Sequence, residues 1–199
     1  MTVVAGTDPY PWPWDGRVDP RRLALVLCGW ETHWAARAVG TPAEVAGAVA
    51  RAGALAAAVA AVGGLVVTIA HARPARAPAA LPDPEPLPAP HDVDAVAVTA
   101  AGLDGFHGGP LETVLRAAGR DTLLVAGHGL EGPVHCTLRA ANDRGDECLL
   151  VVDACTPLTA EAALSAAHSV TMSGGIFGAI GDTAAVLDTL APLSPAAQP

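Results

Sequence analysis

The stretch that decides the fold runs from Leu123 to Cys155. Leu123-Leu124-Val125-Ala126-Gly127 is a short apolar run, Gly129-Leu130-Glu131-Gly132-Pro133 has turn chemistry, and residues 134–144 have helical spacing. Gly145 closes that helix, and residues 147–152 form a second apolar run that ends in Asp153-Ala154-Cys155. Both runs alternate too little for a half-exposed sheet, and a helix of this length suits a crossover between parallel strands. The stretch therefore predicts a parallel βαβ unit. In such sheets ligands sit outside the carboxyl ends of the strands, which puts residues 127–133 at the mouth of any site.

The rest of the chain repeats this alternation. Residues 23–28, 65–70, 94–99 and 176–180 predict four further strands. Thr41-Pro42-Ala43-Glu44 is a capping box with proline at the first helical position, and the alanine-rich helix behind it runs to Ala61 before Gly63-Gly64. Further helices are predicted over 110–119 and 159–172, and a last one after an Asp182 cap, to Leu190. The expected architecture is a three-layer αβα sandwich of six mainly parallel strands, spanning 23–190. Residues 1–22, with alternating prolines and aromatics through Tyr10-Pro11-Trp12-Pro13-Trp14, are expected to strap across the surface; a flexible tail or an oligomer arm is the alternative. Residues 72–92 form a long proline-rich excursion, read as a lid, a binding loop or disorder, and 191–199 as a fraying tail.

Composition narrows the partners. The 199 residues are 51% hydrophobic, 4% aromatic and 16% charged, enough for one sizeable core. All 11 basic residues are arginine, and the net charge of −9 opposes nucleic-acid binding, which needs basic patches. Cys28, Cys136, Cys148 and Cys155 lack zinc-ligand spacing, so reduced, mostly buried thiols in a cytoplasmic protein are expected. Arg51 and Gly63-Gly64 interrupt the longest apolar tract, and no signal peptide precedes the first strand, so neither a membrane span nor secretion is expected.

Four features together resemble the isochorismatase-like cysteine hydrolases, a superfamily that includes isochorismatases, nicotinamidases and amidases of biuret and ureidoacrylate. They are the Leu-Leu-Val-Ala-Gly run with its loop, the Asn142-Asp143-Arg144-Gly145 turn, the Val151-Val152-Asp153-Ala154-Cys155 strand end and the Tyr-Pro-Trp-Pro-Trp-Asp-Gly leader. The resemblance implies that superfamily's Rossmann-like fold, and a mechanism in which a cysteine at a helix start attacks a C–N centre while an aspartate moves the proton and a lysine stabilises charge. The usual core pattern is Gly-x-x-Thr-x-x-Cys-Val-x-x-Thr-Ala. Counting from Gly127 and from Gly145 both put Pro133 on the cysteine. The aspartate at the end of the first strand falls on Cys28, and the lysine six residues before Phe106 falls on Ala100.

On that reading the hydrolytic triad has been replaced. The resemblance then implies a non-catalytic binding or regulatory subunit, as a homo-oligomer or paired with a catalytic paralogue, with a pocket for a small-molecule ligand. Trp30, Trp34, His33, His71, Phe106, His107, His128 and Glu131 are its expected lining. His71 has either a polar pocket role or a structural one. No cofactor is expected. No metal is expected either, because Ile69 stands where metal-dependent relatives place an aspartate two residues before the histidine. The alternative is a hydrolase that uses Cys136 or Cys28 with a histidine base and an arginine such as Arg73 as the cation. A third reading treats all four cysteines as core filling and the pocket as collapsed.

Overall fold

A computed structural model describes residues 2–72 and 84–194. In chain order the elements are β1 (Leu23–Cys28), α1 (Thr32–Ala35), α2 (Pro42–Ala61), β2 (Leu65–His71), β3 (Val96–Ala100), α3 (Leu111–Ala117), β4 (Thr122–His128), α4 (His135–Asn142), β5 (Glu147–Thr156), α5 (Ala160–Gly175), β6 (Ala179–Gly181) and α6 (Thr183–Leu190). The strands form one sheet in the order β3-β2-β1-β4-β5-β6, and every adjacent pair is parallel. From β1 the chain winds outward to β3, then returns to β4 on the other side of β1 and winds outward again. The switch point between β1 and β4 is where such sheets open a crevice at their carboxyl ends.

The sequence explains why these elements form. β1 and β4 are buried along their whole length, as continuous apolar parallel strands require. α2 starts at a complete capping box between Thr41 and Glu44. Its inner stripe, Ala48, Ala52, Leu55, Ala56 and Val59, keeps helical spacing and is buried. The alanines let this helix lie close to the sheet. α2 is also the one described helix long and apolar enough to cross a membrane, and the buried stripe identifies it as a core helix of this fold.

The N-terminal segment is tied into the domain. Val4 and Trp12 pair antiparallel, and Asp8 pairs with Ile180, so the segment runs along the outer edge of β6 and covers it. Trp12 is fully buried, and the Tyr10 hydroxyl donates to Glu147 Oε1 at 2.7 Å.

Several boundaries differ from expectation. β3 lies later than residues 94–99, and β2 includes His71. α5 runs beyond 172 through a break at Met172–Gly174, where Ser173 and Gly174 take φ of 55° and 79°, and this delays the last strand to Ala179. Pro133 does not begin α4. It sits inside a single wide helical turn, Leu130–Val134, and α4 starts two residues later. Of the excursion, residues 73–83 lie outside the described part, and Arg73 with them.

The strap yields the first prediction. Trp12→Ala is expected to lower unfolding free energy by about 3–5 kcal/mol. Trp14→Ala, at a ring 71% exposed and packed edge-on against Tyr10, is expected to lower it by about 1 kcal/mol or less. Equilibrium urea unfolding measures both.

Candidate functional site

Cys28 closes β1 in register with Gly127 of β4. The chain then turns at Gly29, with φ +62°, where a Cβ would overlap the His128 carbonyl oxygen, so only glycine fits. Trp30 follows, its backbone N–H still donating to Ile69 O of β2 at 2.9 Å. Its ring stacks on His128 with centroids 5.2 Å apart, and its indole N–H donates to Pro88 O at 2.8 Å. Trp34 of α1 lies against the wide turn: a Cβ on Gly129 would be 3.1 Å from the Trp34 ring and 3.0 Å from Pro133 Cδ. Trp30, Trp34, His128 and Pro133 are all buried. Three of the expected lining residues, Trp30, Trp34 and His128, are thus packed together around the switch point.

Glu31, the next residue, was not singled out in the sequence, and it is fully buried. Its Oε2 accepts the His71 backbone N–H at 3.2 Å, while Oε1 has no partner. Burial pushes this carboxyl up to about 8, against the opposing His71 bond. The His71 ring is placed structurally. Its Nδ1 is 2.8 Å from Gly102 O, and because a carbonyl only accepts, Nδ1 carries the proton. Nε2 is then a bare, buried lone pair without a partner, and burial holds His71 below the usual imidazole range. His128 Nδ1 meets Thr156 Oγ1 at 2.9 Å, and burial pushes it down to about 4.

None of the four sulfurs is in a disulfide, and each thiol is pushed up, away from the thiolate. Cys28 is completely buried, and burial raises it to about 12 despite a hydrogen bond with the Thr137 side chain. Burial also raises Cys148 and Cys155. Cys136, the second residue of α4, is partly exposed; burial and then Asp104 raise it, and Arg139 only partly offsets them. A nucleophilic thiolate needs a shift in the other direction. Neither His107 nor His128 is hydrogen-bonded to a sulfur. Ala100 ends β3 beside His71 and is buried, its carbonyl accepting from Ala72 N at 2.8 Å.

Three expected pocket residues lie elsewhere. Phe106 packs under the Arg144 guanidinium, 4.4 Å from its ring centroid, at the far end of α4. His107 is exposed and contributes its backbone carbonyl to Ala101 N at 2.8 Å. Glu131 accepts from Leu158 N and Thr159 N at 2.9 and 2.6 Å, which makes it a cap for the start of α5. His33 stays near the cleft, edge-on to Trp34 at 5.2 Å and 3.4 Å from an Arg37 guanidinium nitrogen. Thr137, whose hydroxyl also accepts the Gly105 N–H at 2.9 Å, ties the loop after β3 to α4. Among the described residues, no group of three or more His, Cys, Asp or Glu side chains is arranged to hold a metal ion.

An open groove of about 540 Å³ lies beside this region, between α5 and the wide turn. There His135 Nε2 meets Ser169 Oγ at 2.7 Å, the spacing of a nucleophile and its base. The serine hydrogen, however, goes to Ala166 O at 2.8 Å, so the imidazole donates to the serine and does not take its proton.

Comparison with known proteins agrees with the topology. The family model described as the isochorismatase domain matches residues 23–185. A cysteine hydrolase from Pseudomonas syringae pv. phaseolicola 1448A superposes with TM-score 0.74 at 20% identity, over 88% of this chain and 95% of that one. An isochorismatase family protein from Burkholderia thailandensis gives 0.71 at 20% identity, over 87% and 97%. Another from Desulfovibrio vulgaris subsp. vulgaris str. Hildenborough gives 0.68 at 21%, over 86% and 99%. At these identities the structures share the fold.

The tight turn after β1 is testable. Gly29→Ala is expected to cost about 2 kcal/mol or more, because a backbone carbonyl blocks the methyl. Gly119→Ala, at φ +66° with nothing within 4 Å, should cost only about 1 kcal/mol. Thermal unfolding gives the difference, and loss of near-ultraviolet dichroism in the first variant alone reports on the Trp30–His128 stack.

Proposed function

This chain belongs to the isochorismatase family, and we propose that it keeps the family's fold while working as a non-catalytic binding or regulatory subunit. One observation carries the reading. At the switch point, where a hydrolase of this family needs an activated sulfur, an acid and a cation, every sulfur is held as a thiol and Trp30 and His128 are stacked. The positions that the family pattern assigns to the aspartate, lysine and cysteine hold Cys28, Ala100 and Pro133. Proline brings neither a nucleophile nor a backbone donor to the turn.

The same reading makes the protein a homo-oligomer or the companion of a catalytic paralogue. Exposed apolar side chains at Leu164, Met172 and Ile176, on α5 and just beyond it, support a partner surface there. Three fully buried free cysteines support a reducing compartment, and we place the protein in the cytoplasm. The competing hydrolase reading uses Cys136 or Cys28 with a histidine base, and Cys136 is the partly exposed one of the two.

Activity separates the two. Incubation with nicotinamide, biuret and ureidoacrylate, followed by mass spectrometry of products, should show no turnover above buffer across pH 6–9. Turnover that disappears in Cys136→Ala would overturn the non-catalytic reading. Native mass spectrometry of protein purified from its own host should show an oligomer; a monomer counts against the partner proposal.

A further inference from the structure

The segment after the undescribed part of the excursion returns over the carboxyl edge of the sheet and is fastened there through residues 30–32. Thr32 N donates to Glu85 O at 2.9 Å and Leu87 N to Trp30 O at 2.9 Å. Glu85 N donates to Thr32 Oγ1 at 3.1 Å, and the Trp30 indole donates to Pro88 O at 2.8 Å. Glu31 itself bridges antiparallel to Pro86. Apart from Leu87, which packs partly against the core, residues 85–88 face solvent. The residue at the centre of this fastening also carries the fully buried carboxyl with one oxygen unpartnered.

We propose that residues 84–88 are a latch over the cleft and that Glu31 is its proton-operated catch, shut when the carboxyl is neutral and released when it ionises. This goes beyond the functional reading above and holds whether or not the cleft turns over a substrate. The surroundings offer an ionised Glu31 nothing. Cys28 on β1 is close enough to feel the Glu31 charge, which raises its thiol as Asp104 and Cys136 also do. The latch brings Glu85, which is another acid. His71 on β2 gives Glu31 only a backbone N–H, and its ring, like that of His128 on β4, is kept neutral by burial. Among the described residues no arginine is paired with Glu31. A carboxylate left unpaired in such a place is strongly disfavoured, and opening to water relieves it.

The sign follows from linkage. Shut, the carboxyl titrates at about 8; in water it titrates at about 4.3. Opening therefore releases a proton between those values. The open fraction rises by up to about tenfold per pH unit in that window and levels off above about 8. His71 and His128 act the other way, since their protonation below about 6.5 favours opening, so the Glu31 effect stands alone above that pH.

Amide hydrogen exchange at Leu87 in the full chain, corrected for the intrinsic base-catalysed rate, reads the latch directly. Between pH 6.5 and 8 its protection should fall about tenfold in the wild type and stay constant within about twofold in Glu31→Gln. Thr32→Val removes one fastening bond and should lower protection at every pH while keeping the slope. A wild-type protein without the slope overturns the proposal, and so does a slope that survives in Glu31→Gln. If Glu31→Gln does not fold, the wild type and Thr32→Val still decide, because absence of the slope in both rejects the catch.

Discussion

Cys28 and Gly127 lie side by side where β1 and β4 end, and the architecture of the cleft follows from how close they are. A Cβ at 127 would overlap the Cys28 carbonyl oxygen, so the residue before the end of β4 must be glycine, at φ 127°. The neighbouring Gly29 is locked in the same way against His128. These two positions fix the backbone at the switch point of the sheet, and through it the start of the wide turn and the direction of Trp30. The fold has retained the crevice-forming geometry of an open parallel sheet.

Aromatic packing dominates this point of the sheet. Trp30 stacked on His128, with Trp34 over the turn, buries aromatic surface at the switch point. Burial then sets the protonation of everything beneath. The Cys28 thiol is raised and His128 is lowered, each toward its neutral form. One exception matters: the Glu31 carboxyl is also driven neutral, but with an unused oxygen in a place that lacks a cation. A buried polar atom without a partner costs free energy, and the residue that carries it is bridged through its backbone to a segment held by a few hydrogen bonds.

Much of the fold was legible in the sequence because the strands are continuous apolar runs and the helices carry explicit caps. The Thr41–Glu44 capping box and the Asp182 cap both formed where the residues call for them. The errors came where local rules compete. Pro133 has the chemistry of a first helical residue, yet the glycines at 129 and 132 permit a wider turn that absorbs it. The Gly174-Gly175 pair lets α5 end in an irregular break instead of stopping at Met172. The site was less legible. Cys28, Trp30, His71 and His128 do meet at one edge, because each stands at or just after a strand end. Phe106 and Glu131 are drawn away by Arg144 and by the start of α5, partners whose proximity no local pattern shows. Glu31 escaped notice because an acid between two tryptophans after a strand reads as a solvated loop residue. Its backbone bridge to Pro86, far along the chain, has no local signal.

The central claim is that this family scaffold holds no activated sulfur. Brief iodoacetamide treatment of the native protein near neutral pH, with the modified residues located by mass spectrometry, measures it most directly. Cys28, Cys148 and Cys155 should remain unmodified, and Cys136 should react no faster than a free thiol in a peptide. Rapid, stoichiometric alkylation of Cys136 or Cys28 at that pH would contradict the account.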